Sequence, residues 1–367
     1  MNDASRRPRP RAGLLDIHPY VAGKSRLAGE PEPIKLSSNE NALGCSPRAK
    51  QAYLAVADRL HLYPDGHSAD LRAAIAARFD LEPDRLILTA GSDEVFTLLC
   101  RGYLDPGDNV VQGEYGFIAY SISARSQQGI VRSAPEPGRR VDVDALLALV
   151  DDRTRIVFLA NPANPSGTWN SGAELRRLHA GLPPDVILAI DGAYAEFCDD
   201  PAYEDGLALA RDAHNVVVAR TFSKLHGLAG LRIGWGYAPA EMVPVFDRFR
   251  GPFNINSPAQ AAAVAALADE AFITASLRHV AAWRSWLAAE LAALGLETFP
   301  SATNFLLVRF PDTGAKSAKE AERFLADRGI IVRGVLPYRI ADSLRLTIGR
   351  EDENRALIAA LTELLRG

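Results

Sequence analysis

Short apolar runs that stop at polar turns constrain the fold of this chain more than any other feature. Ile156–Ala160 ends at Asn161-Pro162-Ala163-Asn164-Pro165-Ser166-Gly167, Val186–Ile190 ends at Asp191-Gly192, and the stretch Asn215–Val218 leads into Thr221-Phe222-Ser223-Lys224. Runs this short, without strict alternation, read as strands buried on both faces. Arg85–Thr89, Val110–Val111 and Ile130–Arg132 read as further strands. Between them, helical spacing of apolar residues marks Ser68–Phe79, Glu94–Tyr103, Ile118–Gln128, Val143–Val150 and Glu174–Ala180. Repeated strand–helix units predict an α/β fold: a large domain with a mainly parallel central sheet covered by helices.

The character changes after about residue 250. Pro258–Ala268 and Ala271–Leu294 are alanine- and leucine-rich helical stretches, the second long enough to bridge two lobes. Asn304–Phe310, Ile330–Arg333 and Leu344–Ile348 read as strands, Ser317–Arg328 and Glu351–Leu365 as helices. These predict a smaller α+β domain. The expected division is an N-terminal arm over 1–33, a large domain over 34–252 and a small domain over 253–367. The arm carries Arg6, Arg7, Arg9 and Arg11 among prolines and is expected to be a solvated, disordered tail at its start.

Composition narrows the function class. The 367 residues are 48% hydrophobic and 23% charged with a formal net charge of −4, which favours neither nucleic acid nor an anionic membrane. No apolar run reaches the ~18 residues of a membrane span, and the N-terminus lacks the apolar core of a signal peptide. Cys45, Cys100 and Cys198 lie far apart, so neither a metal site nor a disulfide framework is expected, and a reducing cytoplasm fits.

Four polar groups fall at predicted strand ends, where open α/β sheets bind ligands. They are Ser92-Asp93, which opens a helix after a glycine turn; Asn164; Asp191 with Tyr194; and Ser223-Lys224 followed by Arg232. Each alone also fits an ordinary turn, helix cap or core aromatic. Together they suit pyridoxal phosphate. Helix-start amides, Ser223 and the Arg232 fork would grip a phosphate. Lys224 would hold the aldehyde, Asp191 would keep the ring nitrogen protonated, and Asn164 and Tyr194 would bond the ring oxygen.

On these motifs the chain resembles the fold-type-I aminotransferases, from about Leu14 to Leu365. The stretches Pro19-Tyr20, Ser38-Asn39-Glu40-Asn41 and Phe253-Asn254-Ile255-Asn256-Ser257 are similar to the histidinol-phosphate branch, with Leu62-Tyr63-Pro64-Asp65-Gly66 and Ser343-Leu344-Arg345-Leu346 in support. The resemblance implies transamination between L-histidinol phosphate and 2-oxoglutarate, a step of histidine biosynthesis. It implies Lys224, Asp191 and Tyr194 as catalytic residues, with Lys224 the Schiff-base lysine and proton shuttle. It implies a phosphate cup of Ser92, Asp93, Ser223 and Arg232, and substrate contacts from Tyr20, Asn39, Arg333 and Arg345. It further implies a cytoplasmic homodimer with shared sites, Tyr63 and Tyr20 each serving the partner's cofactor or substrate. Tyr120 matches the aromatic stacked on the cofactor ring, with Phe117 the alternative in another register.

The chain departs from the family pattern in three places. Gly192 stands where the family usually has Glu, which is expected to loosen that turn. Pro162-Ala163 precedes Asn164 in place of a second polar residue, and Gly334–Ile340 lacks the common glycine-rich form beside Arg333. Substrate choice therefore stays open at this point between histidinol phosphate, an aromatic amino acid, and decarboxylation of threonine phosphate. A non-catalytic cofactor-binding regulator is the alternative from another class.

Overall fold

The computed structural model describes residues 8–27, 29–30, 32–311 and 314–366. Arg6 and Arg7 of the expected disordered arm lie outside the described residues.

Seven strands form the large sheet: β1 (Leu86–Thr89), β2 (Asn109–Gly113), β3 (Ile130–Ala134), β4 (Thr154–Ala160), β5 (Ile187–Asp191), β6 (Val216–Thr221) and β7 (Gly234–Tyr237). Their order is β1-β7-β6-β5-β4-β2-β3, and β7 alone runs antiparallel to its neighbours. The other six therefore end at one edge. The apolar runs explain the layering. Val157, Leu159, Leu188, Ile190, Val216 and Val218 point into one core, whereas Ile156, Phe158, Ile187, Ala189, Val217 and Ala219 point into the other. Period-two alternation with no polar face buries the sheet on both sides. Phe158 is nearly inaccessible, and truncating such a side chain to alanine costs about 3–5 kcal/mol.

Helices Ala69–Phe79 and Gly172–Gly181 cover the first face, and Asp93–Tyr103 and Ile118–Ser126 cover the second. Helix Ser257–Leu267, although it lies beyond residue 252, also packs its buried Ala259, Ala262, Ala263 and Ala266 into the first core. Strand β7 is absent from the sequence-based reading. Gly234-Trp235-Gly236-Tyr237 has no continuous apolar run and becomes a strand only because β1 and β6 flank it.

The second sheet is antiparallel and four-stranded, in the order Arg333–Gly334, Ser343–Thr347, Phe305–Arg309, Glu297–Thr298. Leu306, Val308, Leu344 and Leu346 face helices Glu270–Ala293, Ala318–Ala326 and Glu351–Arg366. By strand alternation Arg345 projects to the other side. The long helix Glu270–Ala293 bridges the two regions: Ile273 and Val280 pack with Tyr194 and Leu225, and Leu287 and Leu291 join the second-sheet core. A two-residue parallel pairing of Ile34–Lys35 with Ile330–Ile331 places Ser37–Asn39 between the sheets. No helix among the described residues is long and apolar enough to cross a membrane.

Candidate active site

The strand ends and the second sheet enclose a cavity of about 520 Å³. Lys224, Asp191, Tyr194, Asn164, Ser92, Asp93, Ser223 and Arg232 all line it, as do Tyr20, Asn39, Arg333 and Arg345. Residues from widely separated parts of the chain meet there because six strands finish at one edge.

The end nearest β1 is suited to an anion. Helix Asp93–Tyr103 begins at Ser92, and a helix start leaves its first amides without internal partners. Arg232 Nη2 donates to Asp93 Oδ1 at 2.8 Å, and Nη1 reaches Ser223 Oγ at 3.5 Å. Asp93 thus offers its backbone amide to an anion while its carboxylate aims the guanidinium. Gly234 permits this closeness. A Cβ there would sit 2.4 Å from the Ser92 amide nitrogen, so only glycine lets the two segments approach. Arg232 itself has a φ of 52°, and Asn39 one of 55°, left-handed conformations uncommon for residues other than glycine.

The middle of the cavity holds an acid and a base. Asp191 closes β5 and is buried. Burial pushes its carboxyl up to about 6, although the Tyr120 hydroxyl, donating to Oδ2 at 2.6 Å, and the Ala193 amide, at 3.1 Å to Oδ1, work against this. A buried acid with these donors is ready for a cationic partner. Lys224 follows β6, and Nζ approaches the Ser38 carbonyl at 3.4 Å. The Tyr194 hydroxyl accepts from Asn39 Nδ2 at 2.8 Å.

The rim is built from arginines. Arg333 and Arg345 are register partners on antiparallel strands. Like charges directly opposite repel, and here both guanidiniums line the same cavity. Arg333 Nη2 donates to the Val21 carbonyl at 2.9 Å and Arg345 Nη2 to the Ser37 carbonyl at 2.9 Å. Arg345 Nη1 also donates to Asn164 Oδ1, while its buried Nε finds no acceptor. Neither guanidinium has a carboxylate partner among the described residues, and adjacent cations in a cavity without a counter-charge suit an anionic substrate group.

Three aromatic residues singled out in the sequence lie in different settings. Tyr120 is not on the cavity wall. It lies within the helix, is 1% exposed and stacks on Phe158 at 4.7 Å, whereas Phe117 precedes the helix in a non-helical conformation. Phe117, at the helix start, lines the cavity instead. Tyr20, which the resemblance assigns to a partner's site, lines the cavity of its own chain, edge-on to Phe117 at 6.3 Å. Tyr63 is outside this cavity, 83% exposed and stacked on Phe253 at 4.8 Å. Sequence reasoning missed Tyr338, which lines the cavity from the segment Leu336–Tyr338 and whose hydroxyl is pushed up to about 12 by burial. Its irregular, proline-containing context gave no periodic signal. No cluster of three or more metal-ligating side chains occurs among the described residues.

Comparison with known proteins agrees with this geometry. Residues 31–361 match the family model for aminotransferase class I and II. Histidinol-phosphate aminotransferase 1 of Caulobacter vibrioides is 57% identical over 356 residues, covering 97% of this chain and 99% of that one. Histidinol-phosphate aminotransferase of Maricaulis maris is 50% identical over 357 residues, with 97% and 99% covered. The crystal structure of histidinol-phosphate aminotransferase from Sinorhizobium meliloti in complex with pyridoxal-5'-phosphate superposes with a TM-score of 0.89 at 30% identity, covering 99% of each chain. With the lysine, the aspartate, the anion end and the paired arginines in one cavity, this chain belongs to the class I and II aminotransferases and, within them, to the histidinol-phosphate aminotransferase family.

Proposed function

We propose that this chain is a pyridoxal-phosphate-dependent transaminase that moves an amino group between L-histidinol phosphate and 2-oxoglutarate in histidine biosynthesis. The observation that carries the substrate choice is the opposed pair Arg333 and Arg345 lining the cavity that also holds Lys224. A phosphomonoester amine and a dicarboxylate share one need, a strong anion site away from the reacting carbon.

The residues fit the cofactor. The raised Asp191 and the helix start at Ser92 are each incomplete without a cation or an anion beside them. When bound, pyridoxal phosphate supplies a ring that withdraws the charge released at the reacting carbon. Ser92, Asp93, Ser223 and Arg232 would hold its phosphate, and Asp191 its ring nitrogen. Asn164 and Tyr194 would hold its ring oxygen, and Phe117, in place of Tyr120, would cover its face. Lys224 Nζ would bind its carbonyl and carry the proton between substrate and cofactor. Tyr20, Asn39, Arg333 and Arg345 would orient the substrate.

We read the chain as a homodimer as well. Tyr63 and Phe253 form an exposed aromatic stack beside Leu60 and Leu62, which are also exposed, and such a patch suits a partner. Tyr63 would then serve the partner subunit's site. A reducing cytoplasm suits the three free cysteines.

A half-reaction panel tests the function. Purified protein loaded with pyridoxal phosphate should pass to its pyridoxamine form with either L-histidinol phosphate or glutamate, as read by absorbance. A faster response to phenylalanine or tyrosine than to histidinol phosphate would replace this reading with the aromatic one. No response to glutamate would favour a decarboxylase or a non-catalytic binder.

A further inference from the structure

Beneath the cavity floor lies a charge cluster that the proposed chemistry does not use. Arg220, near the end of β6, is 3% exposed. Its Nη1 donates to Asp205 Oδ2 and its Nη2 to Glu196 Oε1, both at 2.9 Å. Burial works against its charge, but Glu196 and Asp205 more than offset that and hold its pKa above the ordinary value. The guanidinium also lies 5.3 Å from the Phe79 ring centre and 5.9 Å from that of Trp235.

The three partners come from different segments. Glu196 sits in the short turn Ala195–Phe197, directly after Tyr194. Asp205 precedes helix Leu207–Asp212. Arg220 lies on the strand that delivers Ser223 and Lys224. Gly192, next to Asp191, completes the arrangement. A Cβ there would lie 2.9 Å from Arg220 Cδ and 3.2 Å from the Ala219 carbonyl oxygen. The arginine stem thus occupies the space a side chain at 192 would need, and the Gly192 amide donates to that same Ala219 carbonyl at 2.9 Å. The turn expected to be loosened by glycine is packed against an arginine instead.

We propose that Arg220 is a positioning residue for transamination: its planar fork, seated in the space left by Gly192, sets the spacing between the turn carrying Asp191 and Tyr194 and the strand end carrying Lys224. The proposal rests on the pyridoxal-phosphate function argued above. A lysine could keep the charge but not span two carboxylates with a rigid fork. A buried ion cluster is a weak source of stability compared with apolar packing, so its use here is geometric.

Arg220→Lys, Glu196→Gln and Gly192→Ala test this, each first shown to be folded by circular dichroism and gel filtration. The apoproteins are titrated with pyridoxal phosphate, the bound cofactor's absorption band is followed against pH, and kcat and KM are measured. Misplacement by less than an ångström lowers kcat on the order of 10–100-fold. The expected result is that loss in kcat, with KM nearly constant, phosphate-driven cofactor affinity retained, and the pH midpoint of the absorption band displaced. Arg220→Lys should not rescue the band. Lowered thermal stability with wild-type kcat and an unmoved midpoint in all folded variants would overturn the proposal and leave Arg220 a structural residue. If all three fail to fold, the intact protein decides through mixed mutants: Arg220→Met with Glu196→Gln and Asp205→Asn removes the charges together, and a wild-type midpoint in that folded triple variant also overturns it. Failure of the wild type to bind pyridoxal phosphate at all would instead refute the function on which the proposal rests.

Discussion

The floor and the rim of the cavity are built by different rules. The floor uses strand ends. Asp191, Ser223 and Lys224 each continue a strand whose side chains fill two cores, so their positions follow from packing. The rim uses long side chains and loops. Tyr20 comes from an arm with little regular structure, and Arg333 from a two-residue strand tied to that arm by one bond to the Val21 carbonyl. The difference teaches where each property resides. On the function proposed above, chemistry common to many substrates would sit on the rigid sheet, and discrimination on long side chains and loops.

The largest predicted effect is on the floor. Lys224→Ala should lose turnover on the order of 10⁴-fold, since covalent attachment and proton transfer vanish together. It should still retain pyridoxal phosphate through dialysis, because the anion end is untouched. Borohydride treatment of the wild type should fix the cofactor to the Lys224 peptide in mass spectrometry; a label on Lys35, which also lines the cavity, would break the comparison. Mixing Lys224→Ala chains with Tyr63→Ala chains should recover part of the activity if sites are shared, and no recovery in proven heterodimers would refute the sharing.

The next effect is on the rim and should be selective. Arg333→Ala should lower kcat/KM for histidinol phosphate and glutamate by about 2–5 kcal/mol of transition-state binding, roughly 30- to several-thousand-fold. It should spare an uncharged aromatic amino acid. Equal losses for all substrates would mean that Arg333 supports the fold of the rim and not its selectivity.

The smallest effect is a pH dependence of the empty floor. Folded Asp191 keeps its proton up to about pH 6, whereas its ordinary value is 3.8. Its contribution to apoprotein stability is therefore fullest below the ordinary value and is lost as pH rises through the folded one, by roughly 3 kcal/mol. In urea unfolding of apoprotein, Asp191→Asn should gain on the wild type between pH 4 and pH 7. Bound cofactor should reverse the trend, because a cation at the ring nitrogen holds the carboxylate. A pH-independent difference would show that the acid is not desolvated.

Legibility in the sequence followed the same division. The apolar runs announced β4, β5 and β6, and the residues just past them were readable because a strand end fixes a place. The helix read from Ser317 was also close, since Ser317 caps it with a recognisable hydroxyl. What escaped was set by context. Strand β7 holds two glycines and depends on its neighbours. Tyr120 and Phe117 could not be told apart because periodicity marks the helix from Ile118 but not which aromatic near its start is turned into the core. The path of an irregular arm such as the one that carries Tyr20 has no periodic signature. Tyr338 was missed for the same reason.

The antiparallel insertion of β7 between β1 and β6 also bears on how the chain is made. Ribosomal synthesis delivers Ser92 and Asp93 long before Arg232, and domains assemble as units while the chain emerges. The anion end needs both, and Gly234 must slip against the Ser92 amide before the gap closes. A nascent chain halted anywhere before β7 therefore has β1 without its sheet neighbour and no complete cradle for a phosphate. The anion end is therefore among the last parts of the large sheet to be completed.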